Sequence, residues 1–459
     1  MPCVGRARPE DPASADRRRR HPGPGGSPRT GAIGAEPPWH PSVGVGDDGV
    51  TDHDVSDDGH DAPPASAGDR PAGPVVTDTD ADDHGLSRWV ALFYDLIFVA
   101  AILIFSRAVE HIHPQTGAFW IVAVFVAAWW IWYSTTVLAH RLQLADLAHR
   151  MLLLAQMLVI VLMAMEARVS VDGDSGMLGF EYAVLLLTVA VMYLRAWRGT
   201  GPGADAAGRL AVVNLGAALC VLVGVTVAEP GRLAVYLVGL GISVLGTAVV
   251  WHGGTALRVA DERHYIDRMA AFTLIVCGEA FIESALAVSG ATIASIDVTS
   301  LTFEFVLVFA LFSSYFETVP PSGIDPRRFR PWSALHLVVQ LAVAASAVSV
   351  TKLIGLHEGS RVPDAEILRL TVPLVAFYAA MAGLDACTRR RPAHPMARLH
   401  LATAGVMGAV GLLAWYVPPV HLVEALPMLD AVAVGYLVAA VRVRRRTRVL
   451  APAELVAAS

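Results

Sequence analysis

Long apolar runs, broken by short polar or glycine-containing stretches, fill the chain from residue 88 to residue 441. They divide into twelve segments: 88–108, 117–140, 148–167, 176–197, 209–228, 231–252, 266–290, 298–319, 332–356, 365–386, 398–418 and 421–441. A spanning helix rises 1.5 Å per residue and needs roughly 20 predominantly apolar residues to cross a hydrocarbon core about 30 Å thick. Every segment is of that order, so the pattern predicts an all-α, polytopic transmembrane helix bundle of about 12 spanning helices. Glu229–Pro230 alone parts the fifth and sixth segments. A kinked re-entrant element there leaves ten or eleven spans.

Arginine placement tests the count, because basic residues concentrate in cytoplasmic loops and alternate between loops only if every span is counted. After the even-numbered segments stand Arg141 and Arg150, then Arg198, then Arg258 and Arg263, then Arg327, Arg328 and Arg330, then Arg389, Arg390 and Arg391; the tail adds Arg442, Arg444, Arg445, Arg446 and Arg448. Stretches 109–116, 291–297 and 419–420 have no Lys or Arg, and Arg168, Arg232 and Arg361 stand singly. Both termini are expected in the cytoplasm, with the protein multi-pass in a bacterial plasma membrane.

Composition divides the chain further. Residues 1–85 are rich in Pro, Gly, Asp and Ser and lack apolar periodicity. Such a segment buries too little apolar surface to offset its ordering entropy, so 1–85 reads as a disordered cytoplasmic extension, 86–441 as the membrane domain and 442–459 as a basic cytoplasmic tail. The extension has no apolar core of a secretory signal, which leaves the first span as the uncleaved signal. A translation start placed too far upstream is the alternative origin of this stretch. The net charge of −6 comes largely from it, and so says nothing of a partner for the membrane domain. Arg17–Arg20 reads as a solvated patch or as an anionic-lipid contact. Cys3, Cys220, Cys277 and Cys387 form no close-spaced pair, which implies neither a disulfide framework nor a metal site.

An ionisable residue inside a span costs a few kcal/mol on insertion scales, so each is a candidate for function. Asp95 lies within WVALFYDLIFVAAI, and Glu279 sits near the middle of the seventh segment with Glu283 one turn on, at i+4. Glu304 and Glu317 lie near opposite ends of the eighth segment, Asp430 near the centre of the twelfth, and His336 and Gln340 share a face of the ninth. Gly278 beside Glu279 lets another helix approach. A carboxyl poised near neutrality relays protons and an ionised one binds a cation; the alternative is a structural carboxyl satisfied by neighbouring helices. We expect Asp95 and Glu279 to share one internal site. In DERHYIDRMAAF, Asp261, Glu262, His264, Asp267 and Arg268 gather charge at the mouth of the seventh span, as a salt-bridged helix entry or, for His264 with Asp267 at i, i+3, a weak metal pair. The aromatic runs WWIWYS and SSYFET read as interfacial belt anchors, with a π-lined substrate site as the alternative.

Taken together, these residues resemble the bacterial low temperature requirement protein A family. Phe93, Tyr94, Asp95, Leu96, Phe98 and Val99 occupy its opening pattern; Asp146, Arg150 and Gln156, then Tyr193 and Arg195, continue it; His264, Arg268, Gly278 and Glu279 fall on its strongest block. SSYFE and His336 follow in order, so the resemblance covers about residues 86–440. Departures are Ala91 and Asp267 where Glu is expected, and Ser-Ser before Tyr315. No carboxylate role is available at position 91. The resemblance implies an integral membrane protein linked by name to growth in the cold.

Three functions fit. The first is a secondary transporter or proton/cation-coupled permease, with Asp95, Glu279, Glu283, His264, Arg268 and His336 as candidate ion, proton or substrate ligands. The second is an ion channel, and the third an intramembrane or lipid-related enzyme working at the His264–Asp267–Arg268 mouth. With no Walker A loop, GxSxG, HExxH or CxxC, the chain is expected to carry no cofactor and no metal, and no catalytic residue is assigned. The expected partners are the lipid bilayer and a small solute, proton or cation, with no nucleic acid. Acids in the first and seventh spans hint at a six-plus-six duplication, out of register by about a turn when Arg88 and Arg268 are aligned.

Overall fold

The computed structural model describes residues 78–108, 114–142, 146–170, 175–199, 203–252, 262–287, 298–319, 323–354, 364–388, 395–416 and 422–457. The expected disordered extension up to residue 77, Arg17–Arg20, Arg258, Asp261 and Arg389–Arg391 lie outside them. The compact unit runs from Pro74 to Ser459.

Apolar length sets the elements. The helices are α1 (Asp78–Ala108), α2 (Pro114–Leu142), α3 (Leu147–Ser170), α4 (Gly176–Trp197), α5 (Ala204–Val225), α6 (Gly231–His252), α7 (Glu262–Ala287), α8 (Val298–Phe316), α9 (Phe329–Ile354), α10 (Asp364–Ala386), α11 (Pro395–Tyr416) and α12 (Leu422–Ala457). One helix falls on each apolar segment. α1 starts at Asp78, eight residues before the boundary read from composition, so that boundary falls inside a helix. Across Glu229–Pro230 the chain turns between two separate helices that pack side by side, so the segment is not one kinked helix. Among the described residues, eight helices are long and apolar enough to cross a membrane: α2 to α6 and α9 to α11. Trp89–Ile102 in α1 and Leu301–Phe316 in α8 add shorter apolar helical stretches.

The principal contacts repeat. In the first half α1 packs on α2 and α3, α3 on α4, α4 on α5, and α5 on α6. In the second, α7 packs on α8 and α9, α9 on α10, α10 on α11, and α11 on α12. Adding six to each helix number turns one set into the other, which gives the expected duplication a structural form. The correspondence breaks where α2 meets α4, while α8 meets α9 and α12. The halves join through α1 against α7 and α2 against α9.

Small residues set the closest approaches. A Cβ on Gly239 of α6 would lie 2.5 Å from Val221 Cγ2, and one on Gly246 would lie 2.6 Å from Val213 Cγ1. Glycine therefore lets α5 and α6 pack nearly backbone to side chain, the usual device where lipid removes the hydrophobic drive for helix association.

The aromatic run of α2 overturns the belt reading. Trp129, Trp132 and Tyr133 are buried in the interior. Trp132 packs on Phe272 of α7 at 4.2 Å between ring centroids, and Trp129 stacks on Tyr133 at 4.9 Å. Residues 129, 132 and 136 recur at helical spacing, so one face of α2 points inward.

Candidate functional site

α1 and α7 meet through an ion pair. Arg268 Nη2 lies 2.8 Å from Asp95 Oδ1; Asp95 is fully buried and the Arg268 side chain is 11% exposed. The Trp132 indole N–H donates to the same carboxylate oxygen at 2.7 Å, and the Arg268 guanidinium reaches Thr136 Oγ1 at 3.5 Å. Asp95 Oδ2 and Arg268 Nη1 are buried with no hydrogen-bond partner among the described residues. Each charge is therefore held by one edge only. Taking two ions out of water costs several kcal/mol each, repaid only by full hydrogen bonding, so a half-satisfied pair is a poor stabiliser. Its free oxygen can take a proton or cation, and its free N–H can take an anion.

A polar layer surrounds the pair. On the α3 side, Gln156 Oε1 accepts from the Tyr94 hydroxyl at 2.8 Å and from Thr135 Oγ1 at 3.2 Å, while its Nε2 donates to Thr188 Oγ1 at 2.8 Å. On the α9 side, Gln340 Oε1 accepts from the Trp129 indole at 2.6 Å, and its Nε2 donates to Thr273 Oγ1 at 3.0 Å. Gln156 on the third helix and Gln340 on the ninth thus serve the same office in the two halves, each tying its helix to the first helix of its half.

His336 is buried and used at both ring nitrogens. Nδ1 lies 2.8 Å from the Trp332 carbonyl and Nε2 lies 3.0 Å from the Tyr315 hydroxyl. A carbonyl only accepts, so Nδ1 carries a proton, and Nε2 shares a hydrogen bond with the Tyr315 hydroxyl. This imidazole, engaged at both nitrogens, fixes α8 against α9.

The remaining sequence candidates fall elsewhere. Glu279 is half-buried, its Oε2 without a hydrogen-bond partner. It stands eleven residues beyond Arg268, roughly 16 Å along α7. Among the described residues Asp95 pairs with Arg268, and no hydrogen bond or ion pair joins it to Glu279. Glu283 is buried and His264 and Asp267 are exposed at the helix entry. Glu262 Oε1 accepts from the Ile324 backbone N–H at 2.6 Å, which ties the start of α7 to the turn before α9.

Buried carboxylates follow a line of neighbouring helices. Among the described residues the buried acids are Asp95, Glu283, Glu304, Asp385 and Asp430. Four of these lie on α1, α7, α8 and α12, which pack in that order. No group of three or more His, Cys, Asp or Glu that could hold a metal ion occurs among the described residues.

Sequence reasoning missed Trp132, Trp129 and Thr136 as partners of the site. Their spacing on α2 was the available signal, but composition alone reads an aromatic run as interfacial.

No curated protein matches this chain. The model of the bacterial low temperature requirement A protein family matches residues 87–440, which include every helix from α2 to α11 and most of α1 and α12. With its apolar helices and this match across most of its length, the chain is a multi-pass membrane protein that belongs to the bacterial low temperature requirement A (LtrA) family.

Proposed function

We propose that this protein is a secondary transporter, or a proton- or cation-coupled permease, in which Asp95 and Arg268 are the coupling pair. In this reading all twelve helices span the bacterial plasma membrane with both termini in the cytoplasm. The single observation that carries it is the buried, half-satisfied ion pair across the α1–α7 contact between the halves. Ionisable groups inside spans mark ion and proton pathways, and transporters built from internal repeats keep their site at the repeat interface. Six helices per half is an even number, so both halves insert in the same orientation.

The pair supplies a cycle in chemical terms. A proton arriving at Asp95 Oδ2 neutralises the carboxylate and removes its attraction for Arg268. The guanidinium is then free to hold an anionic group of a solute or to move with α7. Loss of the proton restores the pair and closes the contact. Glu279 and Glu283, further along α7, and Glu304 and Asp430, on α8 and α12, offer carboxylates on the way to one surface.

Purified protein in liposomes, assayed for proton and cation flux with candidate solutes, tests the reading. Wild type moves protons or cations across the bilayer, and Asp95→Asn, which keeps shape but loses the charge, abolishes the movement while remaining folded. A folded Asp95→Asn protein with wild-type flux removes Asp95 from the mechanism.

A further inference from the structure

Away from the ion pair, α4, α5 and α6 leave a groove of about 830 Å³. That volume lies within the roughly 300–1,000 Å³ of small-molecule sites. Leu187 and Leu215 form its inner end; Trp197, Asp205, Arg209 and Val250 stand toward its mouth. α4 ends at Trp197, α5 begins at Ala204 and α6 ends at His252, so the mouth lies at one end of all three helices. From Leu187 to Trp197 the groove runs ten residues, about 15 Å along a helix. That is one leaflet, half of a ~30 Å hydrocarbon core.

The mouth carries one charge of each sign. Asp205 and Arg209 are exposed, stand at i, i+4 on α5, and make no ion pair or hydrogen bond with any described residue. Side chains so spaced start about 5–6 Å apart. That separation suits a phosphate and a primary ammonium joined by two carbons: the guanidinium takes the phosphate oxygens and the carboxylate accepts from the ammonium. Trp197 lies over Gly208, where a Cβ would meet its Cδ1 at 2.8 Å. Its indole is half exposed at the rim, where amphipathic rings favour the headgroup level.

We propose that this groove binds one aminophospholipid of the phosphatidylethanolamine type, with an acyl chain along α4–α6 and its zwitterionic headgroup across Arg209 and Asp205. A choline headgroup bears no N–H for Asp205, and a glycerol headgroup bears no cation. The site is independent of the coupling pair.

The test uses the full chain in nanodiscs containing equal amounts of phosphatidylethanolamine, phosphatidylcholine and phosphatidylglycerol, with retained lipid counted by native mass spectrometry. Wild type retains phosphatidylethanolamine over phosphatidylcholine by about five-fold, equivalent to the roughly 1 kcal/mol net worth of one hydrogen bond. Asp205→Asn brings that ratio close to one. Arg209→Gln lowers retention of every phospholipid and Arg209→Lys restores it. Val212, 70% exposed on the groove wall, supplies a blocking variant: Val212→Trp also lowers retention of every phospholipid. Equal retention of ethanolamine and choline lipids by wild type, a preference for phosphatidylglycerol, or an unchanged ratio in Asp205→Asn overturns the proposal.

Discussion

At the scale of single residues, the cost of a charge inside a span is what makes Asp95 legible in the sequence. Its partner was not legible. Arg268 reads as part of a charged helix entry because a linear pattern does not tell which positions on two separate helices face each other. The indole of Trp132 is the cleaner probe of the pair, since it donates to Asp95 without carrying charge. Trp132→Phe keeps an aromatic ring against Phe272 and removes only the N–H. Hydrogen bonds to charged groups are worth about 1.5–3 kcal/mol, so the variant should lose stability of that order in a denaturation experiment. Arg268→Gln should cost more, about 3–5 kcal/mol, because it leaves Asp95 buried and uncompensated. The double variant Asp95→Asn with Arg268→Gln should recover most of that loss. Additive losses in this cycle would show that the two side chains do not depend on each other.

Helices were the most legible scale, because apolar length alone fixes a span. Each predicted segment carries a helix, yet which faces meet was hidden. Periodicity says which side of α2 is apolar, whereas an aromatic run suits both a lipid interface and an interior. Only the bundle, by seating Trp129 against Gln340 and Trp132 against Asp95, decides between them. Outside the spans, Asp146 ties the start of α3 to the end of α4 through Arg195 at 2.5 Å. Burial works to raise its carboxyl, but the Arg195 hydrogen bond, the His149 backbone N–H and the neighbouring positive charges outweigh that and hold it below the ordinary aspartate range. A carboxylate so lowered in the folded state contributes stability above its unfolded value, near 3.9, and loses it as pH falls through the folded value. Asp146 is exposed and Arg195 partly so, so the contribution is about 0–1 kcal/mol. Asp146→Asn should therefore melt slightly below wild type at neutral pH, and the two curves should merge as the pH falls through the folded value. A gap that widens on acidification would contradict the assignment.

Across the whole molecule, the repeated pattern of helix contacts carries an orientation. Two halves of six spans each return the chain to the side on which it began, so corresponding loops of the halves should share a side. The loops after α1 and α7 correspond, as do those after α2 and α8. Arginine placement gives the sign: the turn before α9 holds Arg327 and Arg328 and the stretch before α11 holds Arg389, Arg390 and Arg391, as cytoplasmic loops do. Reporter fusions at residues 325 and 390 should therefore read cytoplasmic, and fusions at 112 and 292 should both read as outside. The four positions test more than the count of spans. Should α5 and α6 fail to cross, the second half would still keep its internal alternation. Should any single helix from α2 to α6 fail to cross, 112 and 292 would report opposite sides, and the two halves would then be inverted with respect to each other. The α1–α7 contact would then join antiparallel helices. Asp95 and Arg268 could still pair, but the neighbour pattern would have to arise without the parallel repeat that the proposed coupling across α1 and α7 uses.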